Sequence, residues 1–360
     1  MTPPDTDIST QAAALTGHRF RVRDHYEVGR EKVREFARAV QNHHGAHQHE
    51  TDADGLGYDA LIAPPTFATV IGMAGTATLL DTVLTDYDLS RVLQTDQVFE
   101  SFRPILAGDR ITSEVLIDSI RQFNENEFVV IRFSLTNQRD EVVILGSATI
   151  VTRNTANDPA EETATSDASI AAVVDNIMMQ GRPADGETTA KRFEEVDALV
   201  ALGPSELAAP ARDREIHPVH TVPTFDELSV GDRLPPNEYR LTRGDLANYA
   251  GVSGDANPIH FSEHAAQLAG LPTVVAHGML TMGLAAGYLT SWLGDPTAIS
   301  KLAVRFSGFV PVTEDAPAPV SFSGKVKSVD PETRTATILL NGTSEGRKLF
   351  GRAVADVRLR

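Results

Sequence analysis

Asp255 and His260 stand five residues apart in the polar stretch Ser253-Gly254-Asp255-Ala256-Asn257-Pro258-Ile259-His260. Ala276-His277-Gly278 follows at the head of an almost wholly apolar run. A carboxylate and an imidazole can take a proton from one atom and return it to another. Gly278 opens an expected helix, where backbone N–H groups have no intrahelical partner and the dipole favours negative charge; a glycine there also lets a ligand approach the main chain closely. Together these groups fit proton transfer beside a carbonyl whose oxygen is held by an amide. Each residue also has a plainer reading. Gly-Asp-x-Asn-Pro is turn chemistry, so Asp255 alone reads as a turn or cap residue. His260 alone reads as a hydrogen-bonded loop histidine. The co-occurrence of Asp255, Asn257, Pro258, His260 and the His277-Gly278 helix start favours chemistry. Ser253 and Asn257 are then supports of the loop, Pro258 shapes it, and His277 is expected to pack and hydrogen-bond locally.

The same residues carry a resemblance. Tyr249-Ala250, Ser253-Gly254-Asp255, Asn257-Pro258-Ile259-His260 and Ala276-His277-Gly278-Met279 resemble the hydratase motif of the MaoC-like (R)-specific enoyl-thioester hydratases and dehydratases, over roughly residues 223–360. The resemblance implies the hot-dog fold, a catalytic Asp255–His260 pair, and Gly278 as the donor to the thioester oxygen. Removing water from a 3-hydroxyacyl thioester needs a base at C2, an acid at the departing C3 hydroxyl and a donor at the carbonyl oxygen. Asp255 and His260 can supply the first two, directly or through one shared water, and the Gly278 amide the third.

The 360 residues suffice for two domains, and the absence of cysteine excludes disulfides and thiolate metal sites. A net charge of −17 argues against nucleic acid as a partner. The run from Val274 to Leu293 is broken by glycine, threonine and serine and reads as a buried helix rather than a membrane span. The N-terminus has neither basic nor apolar character of a signal peptide, so a cytoplasmic protein is expected. No Gly-rich phosphate loop is present, so no cofactor is expected. Four histidines, His43, His44, His47 and His49, lack carboxylate or cysteine partners at firm spacing, so no metal is expected. The partner implied by the resemblance is an acyl carrier protein or coenzyme A thioester. An anionic carrier of either kind needs a local basic patch on this acidic surface. A homodimer is one possible assembly.

Periodicity supplies the elements. Helical spacing covers Gly29–Val40 and Thr66–Leu84, and alternation marks strands at Val92–Phe99, Ile111–Ile120, Glu127–Thr136 and Val142–Thr152. The second half repeats the plan: helices at Thr242–Ala250 and Val275–Leu293, then strands at Leu302–Phe306, Val320–Val329, Thr335–Asn341 and Phe350–Leu359. Phe36-Ala37 answers Tyr249-Ala250 and Ala63 answers Ala276, both 213 residues apart; after the long helix Arg103-Pro104 answers Val310-Pro311 at a step of 207. Duplication of one helix-wrapped sheet, an α+β double hot-dog, is the simplest account. Small residues on both long helices (Gly72, Ala74, Gly75, Ala77; Gly283, Ala285, Ala286, Gly287) would let each sheet wrap closely. The expected layout is a disordered N-terminus at 1–15, a first hot-dog at 16–153, a linker at 154–214 that is weakly helical over Thr189–Arg214, and a catalytic hot-dog at 215–360.

The same register sets Asn42 opposite Asp255, Gly45 opposite Pro258, His47 opposite His260 and Pro65 opposite Gly278. Asparagine exchanges no proton and proline has no N–H. The first half is thus expected to be a non-catalytic partner that shapes the acyl channel, against the plainer reading that it only completes the sheet. Phe36-Ala37 and Leu61-Ile62-Ala63-Pro64 resemble dehydratase-subunit relatives of the same family. The whole resembles the two-subunit (3R)-hydroxyacyl-carrier-protein dehydratases of mycolic-acid-producing actinobacteria fused into one chain, and the two-half hydratase domains of peroxisomal enzymes. The leading function is a (3R)-3-hydroxyacyl-thioester dehydratase of fatty-acid elongation. An (R)-specific enoyl-CoA hydratase is the same chemistry in reverse, and a non-catalytic acyl-thioester scaffold is the alternative of another class. A thioesterase is disfavoured, because Met279–Leu293 carries no carboxylate.

Overall fold

Long alternating strands and two helices apolar on every side can be satisfied together only if the sheet curls around the helices. The computed structural model describes residues 15–82, 93–123, 126–153, 199–211 and 217–360. The first half contains β1 (His18–Val22), β2 (Tyr26–Glu27), α1 (Arg30–Ala39), α2 (Glu50–Asp54), α3 (Ala68–Thr82), β3 (Leu93–Ser101), β4 (Arg110–Phe123), β5 (Asn126–Thr136) and β6 (Val142–Arg153). After β7 (Leu199–Pro204) the second half contains β8 (Arg233–Leu241), α4 (Arg243–Ser253), α5 (Glu263–Leu268), α6 (Gly278–Leu293), β9 (Ile299–Phe306), β10 (Ala318–Asp330), β11 (Thr335–Ser344), β12 (Arg347–Lys348) and β13 (Phe350–Arg358).

The strands form one sheet in the order β7-β1-β4-β5-β6-β3-β9-β13-β11-β10-β8, with β12 on β11 and β2 on β4. The halves meet where β3 pairs antiparallel with β9, from Asp96 opposite Arg305 to Glu100 opposite Lys301. Both end pairs are also ion pairs, Arg305 with Asp96 at 2.8 Å and Lys301 with Glu100. This edge-to-edge junction gives the double hot-dog. All strands expected from alternation are present.

Three features differ from the sequence reading. Residues 199–204, expected to be weakly helical linker, form β7, which pairs with β1 and so completes the first half's sheet. The strand β8 was not anticipated because Pro235-Pro236 sits inside it; it lies at the sheet's edge, where a missing N–H is tolerated. The step between halves after the long helix is 205, not 207. Ala63 N–H donates to the Ile105 carbonyl as Ala276 N–H does to Val310, and Ala107 N–H to Leu61 as Val312 N–H to Val274. Arg103 therefore answers Gly308. The expectations for residues 1–14, for most of the linker and for the short helix at 170–179 lie outside the described residues. Among the described residues, no helix is long and apolar enough to cross a membrane.

The amphipathic α1 buries Val33, Phe36, Ala37 and Ala39, whereas α6 is buried around nearly its whole circumference. One apolar cluster runs through both halves, joining Phe36 and Phe67 to Tyr249, Leu280 and Leu284. Glycines of α6 make the crossing possible. A Cβ on Gly283 would lie 2.6 Å from Val40 Cγ1, and one on Gly287 would lie 3.5 Å from Asn42 Cβ. Overpacking of this kind costs about 1–3 kcal/mol. Gly283→Ala should therefore lower the stability measured by denaturant unfolding, and adding Val40→Ala should recover part of the loss. Unchanged stability of Gly283→Ala would contradict the close crossing.

Candidate active site

The loop after α4 is built by short-range capping. Gly254 takes a left-handed conformation (φ 80°) that ends α4, and its N–H donates to the Ala250 carbonyl at 3.0 Å. Ser253 Oγ donates to the Tyr249 carbonyl at 2.7 Å and accepts the Asp255 N–H at 3.2 Å. Asp255 Oδ1 accepts the Asn257 N–H at 3.3 Å, and Asn257 Oδ1 accepts the Ile259 N–H at 3.2 Å, capping the tight turn Pro258–His260. The turn reading of Asp255 and Asn257 is thus correct, but it engages only one Asp255 oxygen. No hydrogen bond to Oδ2 occurs among the described residues, and Asp255 is half-buried.

His260 is 7% exposed, and its Nδ1 is 2.7 Å from the Val275 carbonyl. A carbonyl only accepts, so the proton sits on Nδ1 and Nε2 keeps its lone pair. Asp255 and His260 converge: a carboxylate oxygen and a ring nitrogen lie within 4.8 Å of each other, as do both with a His277 nitrogen. That separation admits one water or one substrate hydroxyl hydrogen-bonded to both groups. Burial holds the His260 pKa below its ordinary value, against the Asp255 charge and the hydrogen bond to Val275, both of which raise it.

His277 is fully buried. Its Nε2 is 3.3 Å from the Asp255 carbonyl, and its ring stacks on His260 at 3.7 Å between centroids and 26° between planes. On the other face lies Tyr249, with ring centroids 4.9 Å apart. Burial, then the neighbouring His260, keep His277 far below the usual histidine pKa, so it is a neutral plate under the reactive ring. This packing was expected of His277; its position directly beneath His260 was not, since nothing in the spacing signals a stack. The three groups do not make a metal cage. Lone pairs of imidazoles lie in the ring planes, and two nearly parallel rings at this spacing cannot aim them at one ion.

Gly278 begins α6, behind a His277 with extended backbone (φ −55°, ψ 135°). The residue is exposed, and a Cβ there would touch the Phe306 ring at 3.4 Å. As the first residue of the helix, its amide has no carbonyl one turn back to donate to. The site therefore brings together a carboxylate oxygen, a basic imidazole nitrogen and an unengaged amide at a helix start. These are the groups for adding or removing water next to a polarised carbonyl.

The first half repeats the framework without the chemistry. His47 Nδ1 lies 2.7 Å from the Ile62 carbonyl, the same bond 213 residues earlier. Asn42 stands where Asp255 does and reaches Thr290 Oγ1 of α6 at 3.4 Å. His47 is fully buried, and burial lowers its pKa to about 3. His44 accepts the Ala46 N–H on Nδ1 and faces the Gly294 carbonyl with Nε2 at 2.9 Å, so it closes the C-terminus of α6. The histidine cluster is thus occupied with structural bonds.

Comparison with known proteins agrees with this architecture. Residues 14–145 match a family described as FAS1-like, dehydratase domain region, and residues 229–342 match the MaoC like domain. A solved structure described as a MaoC-like dehydratase is 37% identical, with a TM-score of 0.80, and the match covers 97% of this chain and 100% of that one. A UPF0336 protein of Saccharopolyspora erythraea is 40% identical over 139 residues, which is 39% of this chain and 89% of the relative. A conserved Mycobacterium tuberculosis protein described as having a double hotdog fold shares the fold at 11% identity, with a TM-score of 0.61 and 96% of each chain covered. The continuous sheet curled over two helices is thus the double hot-dog class. Within it, the chain belongs to the MaoC-like dehydratase family.

Proposed function

We propose that the protein interconverts (3R)-3-hydroxyacyl and trans-2-enoyl thioesters at Asp255, His260 and Gly278, working as a dehydratase in fatty-acid elongation on an acyl carrier protein or coenzyme A thioester. One observation carries the reading: an unprotonated His260 Nε2 shares a gap of one water with the Asp255 carboxylate. In hydration, a water bridging the two gives its proton to Nε2 while its oxygen bonds to C3. The imidazolium is stabilised by the Asp255 charge, and the proton is returned to C2. Negative charge on the thioester oxygen is held by the Gly278 N–H. Dehydration retraces the path: Nε2 takes the C2 proton, and the C3 hydroxyl leaves as water with that proton.

The test is hydration of crotonyl-CoA, followed by loss of enoyl absorbance. No turnover above that of Asp255→Asn would overturn the reading. A panel of coenzyme A and carrier-protein thioesters of graded chain length then identifies the carrier.

The base must be neutral, and burial holds its pKa below the ordinary 6.5. Activity should therefore be present at neutral pH and fall only as the pH drops through a value below 6.5. An acid limb of kcat/KM centred above 6.5 would contradict this assignment of His260.

A further inference from the structure

The first half keeps a cleft where the second has its reactive mouth. Its floor is Ile62, Ala63, Pro64 and Pro65, the counterparts of Val275, Ala276, His277 and Gly278, and it encloses a cavity of about 60 Å³. A single water needs roughly 10–15 Å³ of such space, so several waters or one small oxyanion fit. The lining is not inherited chemistry. Arg103 enters from one wall, where the second half has Gly308, and Arg358 from the other; the Tyr58 ring, against His217 at 5.4 Å between centroids, lies between them.

The charges favour an anion. Arg103 Nη2 lies 2.9 Å from Glu141, but that carboxylate is shared with Arg139 Nε at 3.0 Å. Arg358 donates to the carbonyls of His217 and Thr297, each at 3.1 Å. Asp295, the other nearby carboxylate, is fully buried, and its oxygens accept the His220 N–H, the Thr297 N–H and the Thr297 hydroxyl. Three guanidiniums against two carboxylates leave a positive cleft on a chain of net charge −17. Guanidinium forks match the oxygens of phosphate and carboxylate groups.

We propose that this first-half cleft binds a phosphate-class oxyanion between Arg103 and Arg358, at a site separate from Asp255 and His260. The cleft reaches Ile299 and Ser300 at one end of β9, whereas Gly278 meets Phe306 at the other. At 3.2–3.4 Å per strand residue the two sites are roughly 20 Å apart. The anion is either free phosphate or the phosphate of a longer carrier.

Titration of inorganic phosphate into the full chain, by calorimetry at constant ionic strength, tests this. Saturable binding is expected. Arg103→Gln should weaken it about tenfold or more, the loss of one charge-assisted contact. Glu141→Gln, which removes the competing carboxylate, should tighten it several-fold. Coenzyme A displacing the phosphate where pantetheine does not would assign the site to a carrier phosphate, and no displacement would assign it to the free ion. Absence of saturable binding, or equal affinity in all three proteins, overturns the proposal. Thermal unfolding of each variant shows that the chain is still folded.

Discussion

Asp255→Asn is expected to lower the hydration rate of crotonyl-CoA by about 10²–10⁴-fold, the range for removing one group of a proton-transfer pair. The loss should fall on kcat more than KM, because the carboxylate acts on charge that appears only during reaction. Asparagine keeps the local fold: its side-chain oxygen can still accept the Asn257 N–H that Asp255 Oδ1 accepts at 3.3 Å. The change has a second signature. The Asp255 charge raises the His260 pKa against the burial that lowers it. Removing the charge leaves burial less opposed, so the acid limb of the residual activity should move to lower pH. A variant that lost activity with an unmoved limb would separate Asp255 from His260 and sink the shared-water reading.

Gly278→Pro is the second large effect, and the chain has already made the corresponding change at Pro65. Proline removes the N–H but suits the first position of a helix. The residue before a proline must be extended, and His277 already is, at φ −55° and ψ 135°. Folding should survive, with unfolding midpoints near those of the parent, while kcat falls by about 10²–10³-fold, the loss seen when one oxyanion donor is removed. Gly278→Ala is the control. It retains the amide and adds only a methyl 3.4 Å from the Phe306 ring. If the proline variant turned over as fast as the alanine variant, the amide would have no role in the reaction.

Much of this arrangement is legible in the residues because it is local. The Asp255 turn, the Gly254 cap and the helix start at Gly278 are each set by neighbours within a few positions, and strand alternation is a property of single segments. What could not be read depends on distant chain. The stack of His277 under His260 requires α6 to meet the Asp255 loop across 17 residues. β7 is short and mixed and becomes a strand only because β1 offers it a free edge. The two-residue error in the repeat arose because Arg103-Pro104 and Val310-Pro311 look alike, while the backbone pairs Ile105 with the place of Val310. That correction moved Arg103 opposite Gly308, which made its position in the first-half cleft stand out.

The junction of β3 with β9 also has a bearing on quantity. Apart, each strand would bare a row of unpaired amides and carbonyls, an invitation to indiscriminate pairing. Two separate polypeptides must find each other at a frequency set by how much of each is made. Here both belong to one polypeptide, so each lobe meets its mate at an effective concentration fixed by the tether. Their union is accordingly indifferent to dilution, and the ratio of reactive to silent lobe is always one to one.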